Sequence, residues 1–349
     1  MSKVRERLLF GVALLLSAAL MIISCPARAG ELGHYAPGVL NIRDFFVPEP
    51  GGYALVYNVF YTTDTFRNRD GKKVDSITIN PGPGPGVTIH VEADVDVYTL
   101  APTLIWVAPW KLPGGLRYGA YVSPTFANNS VSASLGTETW AGLQADEGRF
   151  GVGDMFVEPL FLGWSGKHWD FSLGYGFYAP VGRYDTESVT FPSLGLTITS
   201  PAPDNIGLGF WTHQFQTAMA WYPWEHRATA VMVALTGEVH GKKQDIDVTP
   251  GSHITWNWGI SQFLPLKKDE SLLLEIGPAG YSQWQVSDDT GSAARNPDVH
   301  DQVHAAGVQI GVTHVPWAAF LTAHYVHEFG ARDRFQGQMA TVTIGKKFQ

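Results

Sequence analysis

With 349 residues, a formal charge of −8 and only 16% charged residues, the chain falls below the roughly 25% charge usual for soluble domains. Thirteen per cent aromatics, 38 glycines and 22 prolines suit many strands joined by punctuated turns rather than a helical bundle or a disordered chain. No run of about 18 apolar residues follows the N-terminus, which argues against a helical membrane protein, and an acidic balance without a basic patch argues against nucleic acid as a partner.

Residues 1–29 read as an export signal. Lys3, Arg5 and Arg7 form a positive start, residues 8–23 are apolar, and Ala27-Arg28-Ala29 offers small residues for cleavage before Gly30. An uncleaved anchor is the alternative. Cys25, the only cysteine, lies inside this signal, where Ile22-Ile23-Ser24-Cys25 loosely resembles a lipoprotein box. The mature chain therefore has no disulfide framework. Residues 30–50 are rich in Gly and Pro without a sustained period. They are expected to lie in the periplasm or to fold into a barrel mouth as a plug.

Alternation starts at Gly52. Tyr53, Leu55, Tyr57, Val59 and Tyr61 share a face opposite Asn58 and Thr62. Val91, Ala93, Val95 and Val97 alternate with Glu92, Asp94, Asp96 and Tyr98. Leu116, Tyr118, Ala120 and Val122 oppose Arg117, Gly119, Tyr121, Ser123 and Thr125, and Met155, Val157 and Phe161 oppose Asp154 and Glu158. The cleanest stretch is 168–181, where Trp169, Phe171, Leu173, Tyr175 and Phe177 face away from Asp170, Ser172, Gly174, Gly176 and Tyr178. Residues 206–222 and 227–240 read as a hairpin, with His213 out of phase as if at a bulge. In 252–264, Ile254, Trp256, Trp258 and Ile260 oppose His253, Thr255, Asn257 and Ser261. Strands at 271–286, 303–314, 317–329 and 336–348 bring the count to about twelve, each near the length that crosses a bilayer in a tilted barrel.

The connections alternate in length. Those at 63–90, 128–150, 182–205 and 287–302 are long and 241–251 is intermediate. Those at 108–115, 165–167, 223–226, 265–270 and 315–316 are short. Long outside loops with tight periplasmic turns are the habit of outer-membrane barrels. The predicted fold is thus all-β, a transmembrane antiparallel up-and-down β-barrel over residues 51–349, monomeric, in the bacterial outer membrane. Its last strand ends on Phe348 and Gln349, and a terminal aromatic resembles the signal read by the barrel assembly machinery.

Gly33-His34-Tyr35-Ala36-Pro37-Gly38, Pro48-Glu49-Pro50-Gly51-Gly52-Tyr53 and Tyr57-Asn58-Val59-Phe60-Tyr61 resemble the start of the outer-membrane family named for the meta-pathway of phenol degradation. Gly153-Asp154-Met155, Pro159-Leu160-Phe161-Leu162-Gly163-Trp164 and Tyr178-Ala179-Pro180-Val181-Gly182-Arg183-Tyr184-Asp185 resemble its centre. The resemblance implies an exported barrel that transports small, aromatic or hydrophobic compounds. It transfers no catalytic residues.

Parity places Glu92, Asp94, Asp96, Asp154, Glu158, Asp170, Glu238, Glu275 and Glu328 in the lumen, with His240, His253, Thr255, Asn257 and His324. These acids outnumber the inward bases Arg117 and Lys347, which favours cations or neutral polar solutes over anions. His324 and Glu328, four apart on one strand, are expected to form a hydrogen-bonded pair. His300 and His304 have zinc-like spacing only on a helix, so neither a metal nor a cofactor is expected. No histidine is followed by serine two places on, and no nucleophile elbow, phosphate loop or dinucleotide fingerprint occurs. The expected partners are outer-membrane lipid and a small solute. The rival readings are a structural or loop-displaying barrel and an outer-membrane lipid hydrolase.

Overall fold

The computed structural model describes residues 32–79, 87–137, 140–191, 196–202, 204–294 and 296–348. The predicted export signal with Cys25 and the Pro-Gly run at 80–86 lie outside them. Twelve antiparallel strands close into a barrel. They are β1 (Gly51–Thr63), β2 (Val87–Leu112), β3 (Leu116–Ser123 continued by Phe126–Thr137), β4 (Trp140–Val152 continued by Met155–Ser165), β5 (Trp169–Ala179) and β6 (Thr212–Trp221). They continue as β7 (Thr229–His240), β8 (His253–Pro265), β9 (Leu272–Gln285), β10 (Gln302–His314), β11 (Ala319–Arg332) and β12 (Gln338–Phe348). Each pairs with its sequence neighbours. Closure comes from β1 against β12, in unbroken register from Gly52 opposite Phe348 to Thr62 opposite Gln338. Closing the sheet on itself leaves no edge whose N–H and C=O groups would face hydrocarbon.

In β5 to β8 the alternation translates directly into inside and outside. Trp169, Phe171, Leu173, Phe215, Trp221, Leu235, Trp256 and Ile260 are exposed on the outer wall. Asp170, Ser172, Gln214, Gln216, Thr236, Glu238, Thr255 and Asn257 are buried within. Near the short-turn end Trp106 meets Trp110 and Tyr118, and Trp169 meets Trp221. Such rings suit an interface where one end is apolar and the other wet. The outer wall and the closed sheet together place the molecule in the outer membrane.

Four local expectations are corrected. First, β1 turns its apolar face inward: Leu55, Tyr57 and Val59 are buried, and Phe60 stands on the outer wall. The neighbour inside is protein rather than water, so an apolar face is satisfied there. Second, Glu92, Asp94 and Asp96 share parity with the exposed Leu104 and Trp106, not with the buried Ala101 and Thr103. The strand runs for 26 residues, far beyond the nine to eleven that cross a bilayer. These acids sit on the outer face of its extension past the membrane, where water solvates them.

Third, the expected loop at 128–150 is largely strand, in Phe126–Thr137 and Trp140–Val152. It continues as paired strand, Asn128 opposite Phe150 and Ser132 opposite Asp146. Fourth, the parity of β4 breaks between Val157 and Leu160, where Pro159 has no N–H to give. Phe161 therefore points inward and is buried. His213, by contrast, needs no bulge. The β5–β6 register is continuous, and His213 sits on the outer wall with its Nδ1 3.0 Å from Tyr175 Oη.

Candidate functional site

Residues 32–50 carry no regular secondary structure and run through the lumen from the long-loop end to the start of β1. The contacts fall on three levels. At the top, His34 Nε2 lies 2.9 Å from Asp154 Oδ2 and its Nδ1 lies 2.7 Å from Thr212 Oγ1. Its ring stacks on Tyr178 and meets the edge of Phe210. Asp154 also accepts the N–H groups of Gly182 (2.9 Å) and Leu208 (2.8 Å), so one carboxylate ties the segment to both ends of the loop after β5. Beside it, Tyr35 N–H donates to Glu238 Oε1 at 2.8 Å. His240 Nδ1 lies 2.7 Å from Thr212 Oγ1, and His240 Nε2 lies 3.1 Å from His253 Nδ1.

In the middle, Asn257 donates to Tyr35 Oη, while Gln283 donates to the Tyr35 carbonyl and to Thr255 Oγ1. Ile42 N–H donates to Gln309 Oε1 at 2.9 Å. Backbone amides of an irregular segment need partners when buried, and barrel side chains supply them. Asp44 accepts from Tyr57 Oη (2.9 Å), from Asn41 Nδ2 (2.7 Å) and from the Asn41 N–H. Burial pushes its carboxyl up to about 6, against the pull of those three bonds.

At the short-turn end, Arg43 reaches Glu275 (3.1 Å), Ser261 (2.9 Å) and the carbonyls of Arg227 and Ala228, with its guanidinium over Phe263. Arg117 pairs with Glu49 at 2.6 Å. Apolar side chains of the segment find matching ground. Ile42 and Phe45 pack with Ala218, Met232, Ala234 and Ala279, and Val47 with Val107 and Phe161. Gly259 and Gly163 leave the space that Ile42 and Val47 fill: a Cβ at either would press on those side chains at 2.7–2.8 Å. Val39 and Leu40 cover a separate apolar flank built from Leu55, Tyr57, Val59, Ala101, Val303, Val326 and Met339.

Of the residues singled out by parity, Arg117, Asp154, Glu238, Asn257 and Glu275 touch the segment directly. Asp170 is bound by Tyr222 and Arg227 at the base of the barrel, and Glu158 accepts from Tyr121 at 2.7 Å. Glu92, Asp94 and Asp96 stand outside this group. The expected pair of His324 with Glu328 does not form. Both oxygens of Glu328 are taken, by Tyr281 (2.8 Å), Tyr61 (2.9 Å) and the Gly337 N–H (2.7 Å). His34, Tyr35, Arg43 and Asp44 were missed by strand parity because they lie on no strand. The one available signal was their charge and aromaticity within a segment punctuated by Gly and Pro and without a sustained period.

A serine–histidine contact does occur, across strands rather than along one. His304 Nδ1 lies 2.8 Å from Ser282 Oγ, on the outer wall between Trp284 and Phe329. Such a contact without a group orienting the imidazole is not a catalytic triad.

The fold is similar to a COG4313 outer membrane channel from Pseudomonas putida F1, with a TM-score of 0.52 and 14% identity over 88% of this chain and 100% of that one. It is also similar to the β domain of the Bordetella autotransporter BrkA, with a TM-score of 0.44 and 10% identity over 86% and 100% of the two chains. No curated protein matches by sequence. The family described as "Putative MetA-pathway of phenol degradation" matches residues 63–344. That span contains the motifs at 153–164 and 178–185 and leaves out those at 33–61. Matched over most of its length, the chain belongs to that family, as an outer-membrane β-barrel.

Proposed function

We propose that the protein is a channel for small hydrophobic or aromatic compounds, closed in this state by residues 32–50. The observation that carries the reading is the unequal lumen. One flank, on β1, β2, β9, β10, β11 and β12, carries an apolar cluster against which Val39 and Leu40 of the segment pack. The rest is lined with buried Gln, Thr, Asp and Glu side chains, and Gln309, His324, Glu328 and Thr341 stand beside the cluster on its own strands. A solute with an apolar ring and a polar edge matches both surfaces once the segment moves aside. The resident segment already fills that role, setting Ile42 and Phe45 on apolar ground and Arg43 on Glu275. The COG4313 likeness supplies the fold, and the family description names phenol degradation. Cleavage after Ala29 is part of the same proposal, since it frees the segment's N-terminal end inside the barrel.

Proteoliposomes carrying the mature chain test it. Phenol or toluene entry should exceed that of protein-free vesicles, and deletion of residues 32–46 should raise it further. Absence of flux for every solute in both forms would instead favour a barrel that displays its loops.

A further inference from the structure

We propose that Glu238, His240 and His253 form a binding site for a divalent first-row transition ion of the zinc type, roofed by Gly33 of the N-terminal segment. Glu238 and His240 are two apart on β7, hence on one face, and His253 opens β8 directly opposite Glu238. All three side chains are buried, at 2%, 7% and 1% exposure. One ligand atom from each lies within 4.8 Å of the others, and the two imidazole nitrogens that face each other are 3.1 Å apart. Two nitrogens on one zinc, each at 2.0–2.1 Å in tetrahedral geometry, stand about 3.3 Å apart.

The surroundings aim these atoms inward. His240 Nδ1 is held by Thr212 Oγ1 at 2.7 Å. His253 Nε2 lies at ion-pair distance, 3.3 Å, from Asp301 Oδ1 without hydrogen-bond alignment, and Asp301 is itself held by Arg334 at 2.9 Å. Metal-binding histidines are ordinarily oriented in this way, by a carboxylate or hydroxyl on the far nitrogen. With Nδ1–H of His240 on Thr212 and the His253 proton on Nε2, the side that faces Asp301, two ring lone pairs converge. Glu238 adds a carboxylate oxygen: Oε1 accepts from Tyr35, whereas Oε2 is buried and has no hydrogen-bond partner. A buried, unpartnered carboxylate oxygen beside two lone pairs is costly, and one cation satisfies all three.

Two nitrogens and one oxygen suit zinc or its neighbours, and not calcium or magnesium, which take six or more oxygens. Three protein ligands leave a fourth position, on the side of Gly33. There a Cβ would run into Glu238 Oε2 and stand 3.3 Å from His253 Nδ1. The site thus joins β7, β8 and the N-terminal segment, and its occupancy strengthens the hold on that segment through Glu238 and Tyr35.

The test uses the full mature chain, produced without a polyhistidine tag, stripped with chelator and titrated with Zn²⁺ in detergent. One equivalent should bind, and X-ray absorption at the zinc edge should show two imidazoles and oxygen. His240→Asn and His253→Asn should each weaken binding at least about tenfold, while His300→Ala, a residue exposed on the long-loop surface, should not. Heat-modifiable migration on gels reports whether each variant folds, and the absorption spectrum of the unaltered chain decides the matter if neither does. No binding above the level of an unrelated barrel, a spectrum without two imidazoles, or undiminished binding in a folded His253→Asn would overturn the proposal.

Discussion

Asp154 holds three pieces of chain with one carboxylate: His34, the Gly182 N–H and the Leu208 N–H. Replacing it with Ala leaves two buried backbone donors and an imidazole without their acceptor. Each orphaned group of this kind costs about 1–3 kcal/mol. Asp154→Ala should therefore lower the urea midpoint of the folded barrel by an amount equivalent to about 3 kcal/mol, with Asp154→Asn recovering only part. An unchanged midpoint would show that the loop after β5 is held elsewhere. Asp44 makes the second case at this scale. Its folded value, about 6, lies above the ordinary 3.8, so the folded state binds the proton more tightly. Its contribution to docking is fully present below about pH 4 and is lost as pH rises through about 6. A chain beginning at Gly30 contains no cysteine, so Phe46→Cys in it gives a unique thiol for a labelling probe. Once corrected for the thiol's own ionisation, labelling should be slower at pH 5 than at pH 7.5, and Asp44→Asn should flatten that dependence.

Individual strands show how far a pattern can be read before folding, and where it stops. In β5, β7 and β8 hydrocarbon lies on one side and a polar interior on the other, so parity alone assigned Asp170, Glu238, His240, His253, Thr255 and Asn257 to the buried face. In β1 the same alternation carries no direction, because Val39 and Leu40 cover the inner face and make it as apolar as the outer. In β4 the Glu158-Pro159 step shifts the count by one, and Phe161 changes sides. In β2 the alternation is real but outlasts the membrane, so Glu92, Asp94 and Asp96 face water from the outer wall. The triple variant Glu92→Gln, Asp94→Asn, Asp96→Asn should therefore leave single-channel conductance of the segment-deleted barrel within experimental error. A drop comparable to that from Glu275→Gln would return those acids to the lumen. Nothing periodic marks residues 32–50, which is why their contacts with β6 to β10 were legible only as a possible plug.

At the scale of the whole barrel, charge decides what an opened lumen would prefer. With the segment in place, Arg43 answers Glu275 and His34 sits on Asp154. Glu238 holds the Tyr35 amide. Take the segment away and Glu275 loses Arg43, Asp154 loses His34 and Glu238 loses the Tyr35 amide, while the strands keep all three carboxylates in the wall. Glu158 and Asp170 line the same interior. Against them stand Arg227, paired with Asp170, Arg117, itself released from Glu49, Arg334, committed to Asp301, and Lys347 near the rim over Tyr53. A low-dielectric wall focuses the field of such charges into the passage. The barrel lacking residues 32–46 should consequently favour K⁺ over Cl⁻ in a salt gradient. Adding Glu275→Gln should move the reversal potential toward zero, and Arg117→Gln should move it the other way. Phenol, being neutral, should enter at a rate that none of these charge changes alters by more than about twofold, because Glu275 and Arg117 lie outside the apolar cluster of Leu55, Val59, Val303 and Val326 and burial of apolar surface does not depend on charge. Ion preference that follows the carboxylates, together with phenol entry that ignores them, would separate the two walls of the lumen. If phenol entry fell along with cation preference, the solute would be travelling along the polar wall, and the apolar flank would serve only to seat the segment.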